Sequence, residues 1–176
     1  SDVPRMQILK IDEGVRSAAL SGASSSTARS LDDLGLNPAA LGDVLSPTLR
    51  LMYSARGLGV THMAGGVAVP AGVAGTFGAS FSGLFGGSIT PSVINPSGSV
   101  SALAGEISAG TIVIRGGWGR RFAGIITAGV NGAWARETID GAGTTAIAFG
   151  AGVRVSLLRE RLGIGVAGRN IGSKGL

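Results

Sequence analysis

Ala-Ile-Ala-Phe-Gly-Ala-Gly-Val-Arg-Val-Ser-Leu, residues Ala146 to Leu157, is the stretch that decides the fold class. Ile147, Phe149, Ala151, Val153, Val155 and Leu157 fall on one side of an extended chain, and Ala148, Gly150, Gly152, Arg154 and Ser156 fall on the other. A repeat of two is the mark of a β-strand with two unlike faces. The pattern continues upstream through Thr111. Ile126, Ala128, Val130, Gly132 and Trp134 oppose Thr127, Gly129, Asn131 and Ala133, and before them Ile112, Ile114, Gly116 and Trp118 oppose Val113, Arg115 and Gly117. The second face is too small and too polar for a packed core and is punctuated by arginine, as the lumen of a membrane barrel would be.

Composition points the same way. Of 176 residues, 32 are glycine, 44% are hydrophobic and only 14% are charged, an apolar balance for a water-exposed domain. No apolar run reaches the ~20 residues that a membrane helix needs, so strands are the remaining way to satisfy every backbone polar group inside a bilayer. There is no cysteine, which removes disulfides and thiolate metal sites. The net charge of +5 is spread along the chain without a basic run. Aromatic residues make up 5% and fall on the apolar face, so clustered phosphate contacts with stacking rings, and with them nucleic-acid binding, are not expected. Ser1 to Arg16 has no charged start followed by an apolar stretch, and an exported chain is expected to have lost its signal peptide.

Residues 1–47 differ from the rest. They hold Lys10 and the acids Asp2, Asp12, Glu13, Asp32, Asp33 and Asp43, and they read as short helices broken by polar turns. Gly14 to Gly22 suits two helical turns, Ser24 to Thr27 breaks them, and Leu31 to Leu41 suits a second piece in which Asn37 caps and Pro38 takes the first helical position. From Thr48 the alternation predicts strands: Leu49, Leu51 and Tyr53 against Arg50, Met52 and Ser54; then Val60 to Val69 with His62, Ala64 and Gly66 inward; then Val73 to Phe85 with Phe77, Phe81 and Phe85 outward. Gly86 to Ser108 reads as a long loop in which Pro91 and Pro96 exclude regular pairing. Reversals are expected at Pro70 to Gly72, Gly119 to Phe122 and Ile139 to Gly143, and a last strand at Leu162 to Asn170, for about seven strands in all.

The leader resembles the opening of the PorV/PorQ family, which belongs with the outer-membrane barrels related to the long-chain fatty acid transporter FadL. The resemblance rests on Ile8-Leu9-Lys10-Ile11, on Gly14-Val15-Arg16 running to Gly22-Ala23, on the acidic pair Asp32-Asp33, and on Asn37-Pro38-Ala39-Ala40-Leu41. Ser21 and Ala40 stand where glycine is usual in that family. The resemblance implies a fourteen-stranded antiparallel transmembrane β-barrel whose N-terminal segment folds into the lumen as a short helical plug, with Arg16, Asp32, Asp33, Asn37 and Pro38 among the plug residues. Residues 1–47 would then be the plug, and 48–176 the first half of the barrel. Asn170-Ile171-Gly172 resembles a mid-barrel segment of the family, so the seven strands are expected to be half of a longer wall or to be completed by a second chain. With the leader periplasmic, the connections at 70–72, 119–122 and 158–161 share its side, and the 86–108 loop and the Asp140 turn lie outside.

Phe77, Phe81, Phe85, Trp118, Trp134 and Phe149 are the expected lipid-facing residues. Arg50, His62, Arg115, Asn131, Arg154 and Arg169 are the expected lumen-facing ones, with two roles open to the arginines: a binding stripe for anionic groups, or solvation of the lumen with pairing to Asp32, Asp33 or Asp12. Arg120, Arg121, Arg159 and Arg161 are expected at turns, anchored to headgroups. Gly163 to Gly168 matches a dinucleotide-binding pattern literally, but here the glycines alternate within a strand, where they would let neighbouring backbone or the plug approach closely. His62 is the single histidine, without a visible serine and orienting partner, and one histidine makes no metal site. No enzyme activity and no cofactor are expected. By resemblance, the chain serves protein secretion or surface assembly as a partner of a larger machine in the bacterial outer membrane, or passes hydrophobic small molecules. A structural β-sheet protein buried between sheets or protomers is the alternative from another class.

Overall fold

The computed structural model describes residues 30–57, 59–87, 92–94, 100–102, 108–157 and 162–172. Seven strands form one antiparallel sheet whose spatial order follows the chain, except that β3 pairs with β6 across an insertion: β1 (Thr48–Arg56), β2 (Val60–Pro70), β3 (Thr76–Phe85), β6 (Ala109–Phe122), β7 (Ile126–Ile139), β8 (Ala142–Leu157) and β9 (Leu162–Gly172). β4 (Ser92–Ile94) and β5 (Val100–Ala102) pair with each other as a separate two-stranded ribbon. The sheet is open, with β1 and β9 as its edges. No helix among the described residues is long and apolar enough to cross a membrane.

Four expectations need correction. The third strand begins at Thr76 rather than Val73, because Gly72–Ala74 forms a 3-10 turn and Gly75 takes a φ of 95°. β6 runs on through Phe122, so the predicted reversal at Gly119 to Phe122 moves to Ala123–Ile125, where Ala123 and Gly124 both have positive φ. The 86–108 stretch is not without pairing, since the ribbon β4–β5 lies within it. The leader pieces at Leu31–Asp33 and Pro38–Asp43 are 3-10 turns, too short for an α-helix. Gly14 to Gly22 lies outside the described residues. The Asp140 turn holds, with Asp140 and Gly141 both at positive φ as a two-residue hairpin of this hand requires.

The two faces of the sheet follow the period-two pattern. Phe77, Trp118, Val130 and Ala151 align across four strands on one face, and Gly78, Gly117, Asn131 and Gly150 align beside them on the other. On the first face Leu49, Leu51, Tyr53, Phe149 and Val166 are exposed, Leu51 at 77%; this face is bare. On the second lies the leader. Leu31, Leu34, Leu41 and Val44 pack with Ala68 in one buried cluster, and Val113, Ala133, Ala135, Ala146 and Ala148 form another on the same face.

Glycine is what lets the leader sit so close. A Cβ at Gly119 would come within 2.9 Å of the Pro38 carbonyl oxygen, the Gly42 nitrogen and Leu41, and one at Gly117 would meet Leu34 at 2.6 Å. Cβ atoms at Gly129 and Gly152 would run into the Pro38 carbonyl and the Asn37 side chain. At Gly119 and Gly129 leader backbone occupies the space a side chain would take, and at Gly117 and Gly152 the Leu34 and Asn37 side chains do.

Gly129→Ala should therefore lower stability by about 1–3 kcal/mol through overpacking against a main-chain carbonyl. Gly116→Ala, where an added methyl meets open space on the bare face, should be neutral or stabilising by up to ~1 kcal/mol. Chemical denaturation of both variants checks the contrast, and equal losses would remove the close-approach account.

Candidate functional site: the junction of leader and sheet

Pro38–Asp43 is held by its own sequence chemistry. Asn37 caps the turn, its Oδ1 accepting from the Ala39 N–H at 3.0 Å, and Pro38 takes the first position. The preceding turn is fixed by Ser30 and Asp33, where the Ser30 N–H and hydroxyl both donate to Asp33 Oδ2 at 3.3 and 3.2 Å. Asp33 thus acts as a capping residue, while Asp32 lies 3.9 Å from Arg50 at the exposed margin.

Asp43, at the end of the second turn, is the electrostatic centre of the junction. Its side chain is 4% exposed and pairs with Arg154 of β8, which is 1% exposed, and with Arg121 of β6, whose Nε donates at 3.2 Å. Arg154 Nε also donates to Thr127 Oγ1 at 3.4 Å. Arg154 is thus matched to a leader carboxylate, Asp43; Asp12 lies outside the described residues. Arg121 is not a headgroup anchor, because the extension of β6 carries it onto the covered face within reach of Asp43. Arg120, one residue earlier, points to the bare face and lies over the Phe122 ring at 5.2 Å. Arg16, Arg159 and Arg161 lie outside the described residues.

Further contacts tie the leader down. Asn131 Nδ2 donates to the Leu34 carbonyl at 2.6 Å, and the Thr76 hydroxyl donates to the Val44 carbonyl at 3.2 Å. Arg115 is buried beneath Gly35, where a Cβ would lie 3.2 Å from its guanidinium. His62 Nε2 and Ser82 Oγ are 2.9 Å apart and both fully buried. A serine does stand beside the histidine, against expectation, but neither atom of the pair faces solvent. Gly163 to Gly168 lies within β9, so its glycines open no phosphate-binding turn. Among the described residues no cluster of histidine, cysteine, aspartate and glutamate is suited to a metal.

Of the expected inward residues, Asn131, His62, Arg115 and Arg154 lie on the covered face, as do Arg50 and Arg169, both exposed, on the edge strands β1 and β9. Phe77, Phe81, Phe85, Trp134 and Phe149 lie exposed on the bare face. Trp118 lies on the same face, its indole N–H donating to the Ala74 carbonyl at 2.7 Å. Sequence reasoning missed Asp43 and Arg121, and the available signal was the proximity of Asp43 to the capped Asn37-Pro38 turn. Comparison with protein-family models, with curated proteins and with solved structures finds no match for this chain.

Removing one partner leaves a buried charge uncompensated, so Asp43→Asn should cost about 3–5 kcal/mol. Replacing the pair by apolar groups, Asp43→Leu with Arg154→Met, should recover most of that loss. Denaturation midpoints of the single and double variants read the outcome, and a double variant no better than Asp43→Asn would refute the pairing as the source of the effect.

Proposed function

We propose that this chain is part of the wall of a bacterial outer-membrane β-barrel of the PorV/PorQ kind, with residues 1–47 as its plug. The observation that carries this reading is the bare face. Among the described strand residues whose faces are defined, the only charged residues on it are Arg120 and Arg136, one towards each end of the sheet. From Ala128, the partner of Arg120, to Arg136 is eight residues along β7, which at ~3.4 Å per residue is about 27 Å along the strand. Tilted by ~40°, that is a band roughly 21 Å tall, close to the ~25 Å apolar band of membrane barrels. Trp118 and Trp134 each stand two residues inside one of these arginines, the placement of an interfacial aromatic girdle.

The covered face supports a plugged barrel rather than a water-filled pore. Leader backbone lies directly on strand glycines, and the buried Asp43 carboxylate is matched by two arginines. A lumen filled in this way suits a non-conducting partner of a secretion or surface-assembly machine. Passage of hydrophobic small molecules is the second reading, and in it the Asp43 pairs with Arg121 and Arg154 would open as the leader moves. In either case the open edges β1 and β9 would be continued by further strands, of this polypeptide or another, to make the fourteen of the family.

The test is depth-resolved quenching. In vesicles containing brominated phosphatidylcholines, tryptophan emission from Trp118 and Trp134 should be quenched, more strongly by lipid brominated near the headgroup than by lipid brominated near the chain end. A chain that stays in water without detergent, with tryptophans untouched by brominated lipid, would sink the membrane reading and leave a structural β-sheet protein.

A further inference from the structure

Gly116 and Gly132 face each other across β6 and β7 on the bare face. Other bare-face glycines have occupants: the Phe81 ring and Leu51 lie over Gly65, and the Phe85 ring lies over Gly83. Gly116 has none. A Cβ there would meet open space, and one at Gly132 would make only ordinary contact with the Phe149 ring at 3.6 Å. Glycine inside a strand is unfavourable, and here no described part of the chain uses the room it leaves.

That room is a depression of about 640 Å³, within the range of small-ligand sites. Gly116 and Gly132 form its floor, with Phe77, Trp118 and Val130 towards the leader's end of the sheet and Phe149 beside Gly132. No charged residue lines it. The Trp118 indole N–H is given to the Ala74 carbonyl, and Asn131, which borders the floor, gives its amide to Leu34 on the opposite face. A polar group entering would find no partner, so the complement is hydrocarbon.

The depression is also one-sided. It takes in the row of Trp118 and Val130 but not the row of Ile114 and Trp134, so it extends towards Arg120 and away from Arg136. Arg120 stands two residues beyond Trp118 on the same face, exposed, with its guanidinium over the Phe122 ring. No carboxylate among the described residues pairs with it. A guanidinium steadied by an aromatic ring is a fork for phosphate. From Arg120 to Gly116 is four residues, ~14 Å along the strand. At a tilt of ~40° that is roughly 11 Å of depth, within the ~15 Å that the chains of one leaflet cover.

We propose that Arg120 and this depression hold one phospholipid, its phosphate on the guanidinium and an acyl chain over Gly116 and Gly132. The proposal rests on the membrane reading above and narrows it from general contact with lipid to a single seated molecule, in the leaflet at the leader's end. Charge separates this occupant from a second copy of the chain. The bare face of another copy carries Arg120 and Arg136 and no acid among the described strand residues, so it brings nothing to meet Arg120.

Native mass spectrometry of the full chain in lipid-free detergent, with dioleoylphosphatidylglycerol added, tests the proposal. One phosphatidylglycerol per chain is expected. Dioleoylglycerol, which lacks the phosphate, should be held roughly tenfold less, as loss of one charge-assisted contact predicts, and glycerol phosphate, which lacks the chains, should not be held. Arg120→Gln should bring phosphatidylglycerol down to the level of dioleoylglycerol. Gly116→Leu, which fills the depression, should abolish retention of both, and Arg136→Gln should bind like the parent. Circular dichroism checks the sheet of each variant; Arg120 is exposed, so its replacement reads the site even if Gly116→Leu does not fold. Tryptophan quenching of the same preparations in brominated vesicles separates the two readings. A chain that inserts yet holds no phosphatidylglycerol overturns the lipid site alone, whereas one that does not insert takes both down. Retention unchanged in Arg120→Gln, an equal loss in Arg136→Gln, glycerol phosphate held as well as the lipid, or a dimer in place of the lipid adduct would each overturn the site as well.

Discussion

The structure depends on main chain lying against main chain. Leader backbone around Pro38 to Gly42 rests on strand positions that have no side chain, chiefly Gly119 and Gly129, with Gly117 and Gly152 beside them. Glycine inside a strand is unfavourable by roughly 0.5–1 kcal/mol relative to alanine, and this sheet accepts that cost several times over. The return is a leader that is seated at backbone distance, close enough for Asp43 to reach both Arg121 and Arg154 and for Leu34 to accept from Asn131. Without the glycines the ion pairs would have no geometry to occupy.

The molecule also inverts the usual arrangement of polarity. Soluble domains bury apolar side chains and turn charge outward, whereas here Arg115, Arg154 and Asp43 are enclosed between leader and sheet and His62 is buried beside Ser82, while Phe149, Leu51 and Val166 stand exposed. Among the described residues the buried hydrophobic clusters on the covered face are small, and one of them is mostly alanine. Hydrogen bonds and ion pairs from Asp43, Asn131 and Thr76 add direction to the leader's attachment that apolar contact alone does not give. That division of labour, with specificity on the polar side and solvation on the apolar side, is the physical basis for placing the bare face in lipid.

Much of this was legible in the chain. Alternation alone assigned Phe77, Trp118, Trp134 and Phe149 to one face and Arg115, Asn131 and Arg154 to the other, because side-chain direction in a strand is fixed by parity. The Asn37 cap and the Asp140-Gly141 hairpin were readable for the same reason, since local chemistry determines them. What could not be read was anything set by register between distant segments. Asp43 meets β6 and β8 across 78 residues and more, and its nearness to the capped Asn37-Pro38 turn does not say which strands it meets. The irregularity between β8 and β9, where Asn170 takes a positive φ, leaves no mark in the alternation. The start of β3 was misplaced because Val73 and Gly75 continue the apolar parity of the strand although Gly75 adopts a backbone angle that no strand uses. The family resemblance of the leader adds an expectation of plug and barrel, and both remain proposals resting on the faces described above.

The order of the sheet has a kinetic meaning. Each of its pairings joins strands adjacent in the sheet's own sequence, through connections that are short except between β3 and β6, so the wall can zip from hairpin to hairpin with little loop-closure entropy at each step. The leader is the exception. Although it precedes every strand, its seat is made of β3, β6, β7 and β8 together, and its bond from Asn131 to Leu34 spans 97 residues. The first part of the described chain to be synthesised therefore waits for later ones: Leu31, Leu34 and Leu41 need Ala68, Gly78, Gly117 and Gly119 of β2, β3 and β6, and Asp43 needs Arg154 of β8. Folding of this protein is governed by how long that apolar segment is kept from other partners while the surface meant for it is still being built.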